Sequence, residues 1–270
     1  DQDWFCDGIA EEILNALTPL KGLRVAARTS AFSFKGKGED LRSIGEKLNV
    51  TTVLAGSLRR AGERVRITVQ LSDVADGFQL WSERYDRELK DIFDVQDEIA
   101  KAIAERLRVT LAGDKEDRLV EQGTTNVAAY ELYLKGHALL GRRGTSIPAA
   151  LDLFRKAVEI DANYSLAWAG LADACSGLAI TGSMSGAESK PQAMAAATRS
   201  IELDPASAAG HAALACATLL LENNRALAKQ EFERALELRP SYVLGRSWYA
   251  CFYLQWARGD LQAGSGEARR

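Results

Sequence analysis

Apolar and polar positions follow two different periods along this chain. Between residues 52 and 85 the period is two: Val65, Ile67, Val69 and Leu71 fall on one side and Arg66, Thr68 and Gln70 on the other, as in a half-buried strand. This predicts strands at 52–60 and 64–73 joined across Ala61-Gly62-Glu63, and a third at 78–85 after the Asp76-Gly77 turn. On either side the spacing is helical. Upstream, Asp7 is expected to cap a helix that carries Ile9, Ile13, Leu14 and Leu17 and ends at Pro19. Residues 23–27 read as a short strand, and 39–48 as a short helix with Leu41, Ile44 and Leu48 on one face. Downstream, Ile92, Phe93, Val95, Ile99, Ile103 and Leu107 form the apolar stripe of a long helix over 91–111.

This order of elements predicts an α/β domain with a mixed sheet over 1–112. A helix leading into a strand ordinarily covers a sheet whose preceding strand is already in place, so a first strand is expected to be missing ahead of Asp1. Residues 113–127 are charged and then turn-like and read as a linker, with Leu119 and Val120 favouring a helical bridge.

From Ala128 onward one pattern returns about every 34 residues, the length of a helical-hairpin unit. Ala150-x3-Phe154-x2-Ala157 becomes Ala193-x3-Ala197-x2-Ser200 and then Ala228-x3-Phe232-x2-Ala235, and the units close on Ala162, Pro205 and Pro240. Small residues let two helices approach, the large residue fills the gap between pairs, and proline, which lacks an N–H, stops the helix. No unit can bury its apolar face alone, so neighbours must stack. The expectation is an all-α superhelix over 128–270, of three units and a partial fourth. Residues 246–257 supply the fourth unit's first helix; its partner is expected to begin near Asp260 and stop at Gly264-Ser265-Gly266. With both ends looking cut, the chain reads as a piece of a longer protein. Residues 177–191, rich in small side chains, read as an inserted mobile loop.

Composition sets bounds. A chain of 270 residues has room for two domains, and 47% hydrophobic with 26% charged residues is a globular balance. No apolar run long enough for a membrane span is visible, and no signal peptide. A net charge of −3 gives no global argument for nucleic acid or anionic membrane as partner, and neither a nucleic acid nor direct membrane contact is expected. The distribution is uneven, however: about eleven Lys and Arg stand against about four acids between Lys21 and Arg66, which keeps a basic docking surface as an alternative. The four cysteines lack CxxC spacing and read as small hydrophobes on helices. The compartment stays open, cytoplasm being favoured over periplasm.

No residue pattern along the chain marks a catalytic residue, a cofactor site or a metal ligand. The Gly/Lys-rich stretch 30–40 lacks the GxxxxGK[ST] order that cradles phosphates, and reads as a connection whose Phe32 and Phe34 tuck under the sheet. His137 and His211 fall at packing positions of first helices, and no HExxH, GxSxG or EF-hand pattern occurs. Asp91, Asp94, Asp97 and Glu98 read as a helix N-terminus with its solvent face. Trp81 and Tyr85 read as one face of a strand, and Trp168, Trp248 and Tyr249 as packing between repeats.

The wording FCDGIAEEILNAL, VAARTSAFSFKGK and IGEKLNVTTVLAGSLRRAGERVRITVQLSDVADGFQLWSERYDRELKDIFDVQDEIAKAI resembles the TolB-like amino-terminal domain that precedes tetratricopeptide (TPR) repeats in bacterial regulatory proteins. Together with the repeats, the resemblance covers essentially the whole chain. It implies an opening strand of the kind I-A-V-L-P-F, and an upstream neighbour that is often a class III adenylate cyclase or a winged-helix domain. It carries over no catalytic residues. The function it implies is a non-enzymatic protein–protein interaction or scaffold module of a signalling or transcription regulator. The alternatives are a fragment of an adenylate cyclase polypeptide and an accessory nucleic-acid-contacting domain.

In such arrays the first helices line a concave groove that takes a protein or peptide. The resemblance places Leu132, Lys135, Leu139, Arg142 and Arg143 there in the first repeat. Leu166, Ala169, Asp173 and Ser176 follow in the second, Ala212, Cys216 and Leu219 in the third, and Ser247, Cys251 and Gln255 in the fourth. Leu132, Lys135, Leu139, Arg142, Arg143, Asp173 and Gln255 are the partner-binding candidates. The groove is expected to be basic at its entrance and to suit an acidic or amphipathic segment. Lys135 alone matches the set that clamps a C-terminal carboxylate, so that mode is not expected.

Overall fold

Alternation in the middle of the chain produces a three-stranded antiparallel sheet, β1 (Thr52–Ala61), β2 (Arg64–Asp73) and β3 (Gln79–Glu88), in the order β1-β2-β3. The computed structural model describes residues 3–20, 22–107, 123–142, 144–240, 242–257 and 259–269, and divides into two units, Asp1–Gln122 and Gly123–Arg270. The linker 113–127 falls mostly outside the described residues, as do Leu119, Val120 and the end of the expected 91–111 helix.

In the first unit the predicted face of β2 is the buried one. Val65, Ile67, Val69 and Leu71 are all buried, with Tyr85 opposite Ile67 and Trp81 opposite Leu71, both buried too. Gly62, at φ 61, opens the two-residue turn between β1 and β2, where only glycine takes a positive φ without strain. The next turn is held by Asp73 Oδ1 accepting the Ala75 N–H and Asp76 Oδ1 accepting that of Phe78, with Gly77 at φ 77. Around the sheet lie α1 (Asp3–Leu17), α2 (Arg28–Phe32), α3 (Leu41–Leu48) and α4 (Ile92–Arg106), with α4 packed on both β3 and α1. Asp40 caps α3 by accepting the Arg42 N–H at 3.2 Å, and Asn49 ends it in the left-handed region at φ 52.

Several expectations fail here for local reasons. Asp7 does not cap α1, because the apolar stripe already starts at the buried Phe5 and the helix begins at Asp3. Asp7 lies inside the helix and accepts from Lys35 Nζ at 2.6 Å. Residues 23–27 form no strand, having no ladder partner among the described residues. Phe32 and Phe34 are half-buried rather than tucked under the sheet; the Arg28 guanidinium stands 4.7 Å from one ring centre and the Lys47 ammonium 5.6 Å from the other. Asp97, expected on a solvent face, is buried and reaches Lys101 at 2.9 Å.

The second unit is a succession of helices: α5 (Val127–Arg142), α6 (Ile147–Ile160), α7 (Ser165–Ile180), α8 (Gly186–Leu203), α9 (Ala208–Glu222), α10 (Arg225–Leu238), α11 (Val243–Trp248) and α12 (Leu261–Arg269). Between α11 and α12 the helix widens to a π-helical stretch, Tyr249–Ala257. From α5 to α10 each helix packs on the next; α5 also meets α7, and α7 meets α9. The repeated residues make the seams: Ala150, Phe154 and Ala157, Ala193, Ala197 and Ser200, and Ala228, Phe232 and Ala235 are all 0% exposed. Phe154 sits against two glycines, one on each neighbouring first helix. A Cβ at Gly136 or Gly170 would lie 2.8 or 2.4 Å from its Cε1.

The turns between units repeat to the atom. The N–H groups of Asp161, Asp204 and Arg239 donate to the carbonyls of Ala157, Ser200 and Ala235. Six residues after each closing carbonyl a side chain reaches back to it: Trp168 Nε1 donates to Ala162 O at 2.9 Å, His211 Nε2 lies 3.2 Å from Pro205 O, and the Arg246 guanidinium donates to Pro240 O. Replacing Trp168 by phenylalanine removes that donor while keeping an aromatic ring, and is expected to cost about 1 kcal/mol of stability in urea unfolding. A loss indistinguishable from zero would mean that the bond adds nothing beyond ring packing.

Two further expectations are corrected. Residues 177–191 form no mobile loop: α7 and α8 run through most of the segment, and the buried Ser189 ties them by donating to Cys175 O at 2.7 Å. The last helix does not stop at its glycines. Asp260 Oδ1 accepts the Ala263 N–H at 2.9 Å to start α12, which runs through Gly264 and Gly266. Gly264 is required there, since a Cβ would meet Gln255 Cγ at 2.2 Å and Ala250 O at 2.9 Å. Of the cysteines, Cys175 and Cys216 are buried as expected, Cys6 is half-buried and Cys251 is exposed; all four are free thiols.

Candidate functional site

The candidate residues separate into two environments. Leu132, Lys135, Leu139 and Arg142 are spaced along one face of α5, with the leucines half-buried and Lys135 and Arg142 exposed. Arg143 lies outside the described residues. Gln255, in the π-helical stretch, is half-buried with its side chain across Gly264 of α12.

Asp173 is not on an open surface: it is 5% exposed in the middle of α7, whose neighbours are α5, α6, α8 and α9. Ala169, Ser176, Ala212, Cys216 and Leu219, expected with it along a groove, are buried as well. The physical reason is the small side chains, which allow α7 and α9 to pack on each other.

This produces an uncommon electrostatic arrangement. Asp173 Oδ1 and, one turn along α7, Ser176 Oγ are buried without a hydrogen-bond partner. Burial holds the Asp173 carboxyl well above the usual carboxylate range. Burial also pushes the Cys175 thiol up to about 11 and Cys216 well above its ordinary value, and in both the Asp173 charge adds to the rise. The carboxyl therefore lies within electrostatic reach of a thiol on α9. A buried polar atom left unpaired ordinarily costs about 1–3 kcal/mol, so this pair is maintained against the stability of the fold.

Other polar groupings are satisfied internally. His211 Nδ1 lies 2.5 Å from Glu231 Oε2 while Nε2 faces Pro205 O, so both ring nitrogens are occupied. The sequence pointed to His211 only as a packing residue; Glu231 is on the next helix, and nothing in the spacing foretold the pair. On the open face of the sheet Arg59 stands opposite Arg66, and Asp86 takes Arg64 at 2.6 Å and Arg66 at 2.7 Å. Those two guanidinium groups hold the Asp86 carboxyl down at about 2. Among the described residues no three His, Cys, Asp or Glu side chains gather as metal ligands would, and no helix is long and apolar enough to cross a membrane.

No protein-family model matches the chain. It is 39% identical over 223 residues to a protein of Rhizobium meliloti (strain 1021) named "Putative adenylate cyclase 3". That alignment takes in 80% of this chain and 37% of the relative, so the chain spans little more than a third of that protein's length. The expectation of a non-enzymatic module is corrected by this likeness: the relative bears the name of an enzyme, and the similarity points toward an enzyme polypeptide.

Proposed function

We propose that the chain is a segment of an adenylate cyclase polypeptide, one that forms cyclic AMP from ATP, and that this segment receives a partner and governs the cyclase. The observation that carries the reading is the 39% identity over 223 residues, a span longer than either unit, so the likeness takes in parts of both. Within that polypeptide we assign the first unit as a TolB-like domain and the second as a TPR superhelix. Support for the second assignment comes from the buried Ala/Phe/Ala seams and from the matching turns at Ala162, Pro205 and Pro240. The strip Leu132, Lys135, Leu139 and Arg142 on α5 is the surface proposed for a polypeptide partner, since it offers both apolar and cationic contact.

The test is to express the full product of the gene that encodes this chain and measure cyclic AMP formed from ATP. Cyclic AMP production, with a rate altered by Lys135→Glu/Arg142→Glu in a protein of unchanged helix content, is the expected result. A full product that folds and forms no cyclic AMP overturns the reading.

A further inference from the structure

We propose that Asp173 and Ser176 form a subsite for an alkylammonium group, the end of a lysine side chain on a partner polypeptide. The proposal rests on the reading of the second unit as partner-receiving, and it deepens that reading by naming the chemistry received.

Asp173 is 5% and Ser176 2% exposed, they lie three residues apart and therefore on one side of α7, and Asp173 Oδ1 and Ser176 Oγ have no hydrogen-bond partner. Native interiors rarely leave two such atoms together without a ligand or water between them.

Counting from the closing carbonyls of Ala162, Pro205 and Pro240, the positions of Asp173 and Ser176 are taken by Cys216 and Leu219 in the next unit, and by Cys251 and Leu254 in the one after. Leu219 and Leu254 are both buried, so these helices pack with an apolar side chain at that place. The acid and the hydroxyl are thus a property of one unit and no requirement of the architecture.

Ligand class follows from the donors and acceptors. A carboxyl and a hydroxyl one turn apart present oxygen acceptors, and Asp173 Oδ1 and Ser176 Oγ are buried with no donor facing them, so an ionised Asp173 would be without a hydrogen-bonded counter-charge. A cation with several N–H groups answers both features. The compact ammonium on an unbranched stem fits between small side chains, whereas the planar guanidinium fork needs a wider slot. Entry of the stem requires α7 and α9 to separate along the seam that includes Ala212 and Cys216, both buried in the free protein.

The experiment uses the whole 270-residue chain labelled with 13C at the aspartate carboxyls, titrated at neutral pH with Nα-acetyl-lysine methylamide. The uncharged norleucine analogue serves as control. The lysine probe is expected to shift the Asp173 carboxyl carbon saturably, with a Kd of roughly millimolar, as befits a single side chain. The control is expected to leave it in place. Asp173→Asn should weaken the lysine probe at least about tenfold, equivalent to ~1.4 kcal/mol. Asp173→Cys/Ser176→Leu, which copies the next unit and so should fold, should abolish saturable binding. No movement at roughly 100 mM probe, equal movement with norleucine, or binding undiminished in the copied variant overturns the proposal. A trapped water would produce the first of these outcomes. Cyclic AMP enters none of these readouts, so failure of the subsite and failure of the cyclase reading are separately visible.

Discussion

Phe154→Ala is expected to remove about 3–5 kcal/mol from the helical unit, the upper end of what a single truncation in a packed core produces. Phe154 is 0% exposed and fills the space between Gly136 of α5 and Gly170 of α7, with the Tyr133 ring 6.1 Å away centre to centre. Both glycines exist because the ring occupies the place where their side chains would be. Removing the ring leaves a void that rigid helices on two sides cannot collapse into, so the cavity cost adds to the lost burial. Urea unfolding followed by helical circular dichroism measures it. A companion substitution reports the mechanism: Gly170→Ala alone forces a Cβ to within 2.4 Å of Phe154 Cε1 and should destabilise, but in the Phe154→Ala background the methyl has room. The two changes should then cost clearly less together than the sum of their separate costs. Strict additivity, or a loss near 1 kcal/mol for Phe154→Ala, would show that the seam is looser than the packing implies.

Asp173→Cys is expected to act in the opposite direction and stabilise the protein by about 2 kcal/mol at neutral pH, because it removes a buried acid with an unpaired oxygen. The residue introduced is the one already buried at the matching place in the next unit, Cys216, so packing precedent exists. The sign of the pH dependence follows from the raised folded-state pKa. Below about pH 4, the ordinary aspartate value, the acid is protonated in folded and unfolded chains alike and the ionisation penalty vanishes. As pH rises from there toward the folded value, only the unfolded chain releases its proton, and the wild type loses stability that the variant keeps. Urea midpoints compared from pH 3 to pH 8 should therefore diverge upward in favour of the variant. Parallel curves, or a variant that is the less stable protein at pH 7, would mean that the carboxyl finds a partner in solution.

These two residues mark how far a linear reading reaches. Phe154 was legible because its role is local and periodic: a large residue between alanines spaced for one helix face can only be a seam. The strands were legible for the same reason, since alternation alone sends Val65, Ile67, Val69 and Leu71 to one side. Asp173 was picked out correctly as lying on a first helix but assigned to open surface, because burial depends on how closely α9 approaches α7, and that distance is no property of either segment. The same limit explains Asp97, buried on α4 though flanked by the exposed Asp94 and Glu98. It also explains 177–191, where glycines and serines suggested a loop but Ser189 found a carbonyl across the hairpin.

By itself the amino-acid order determined most of the helices and all three strands of the sheet, where most turns fall and which small residues meet, because those outcomes depend on the side-chain period and on backbone chemistry within a few residues. Only the tertiary structure decided that the row of first-helix residues from Ala169 to Leu219 closes instead of opening as a groove, that 23–27 finds no strand partner, and that α12 passes through two glycines. Each of those turns on the distance between elements distant in sequence or on a contact across a turn, and such distances are set by the sum of many packed contacts that no local pattern encodes.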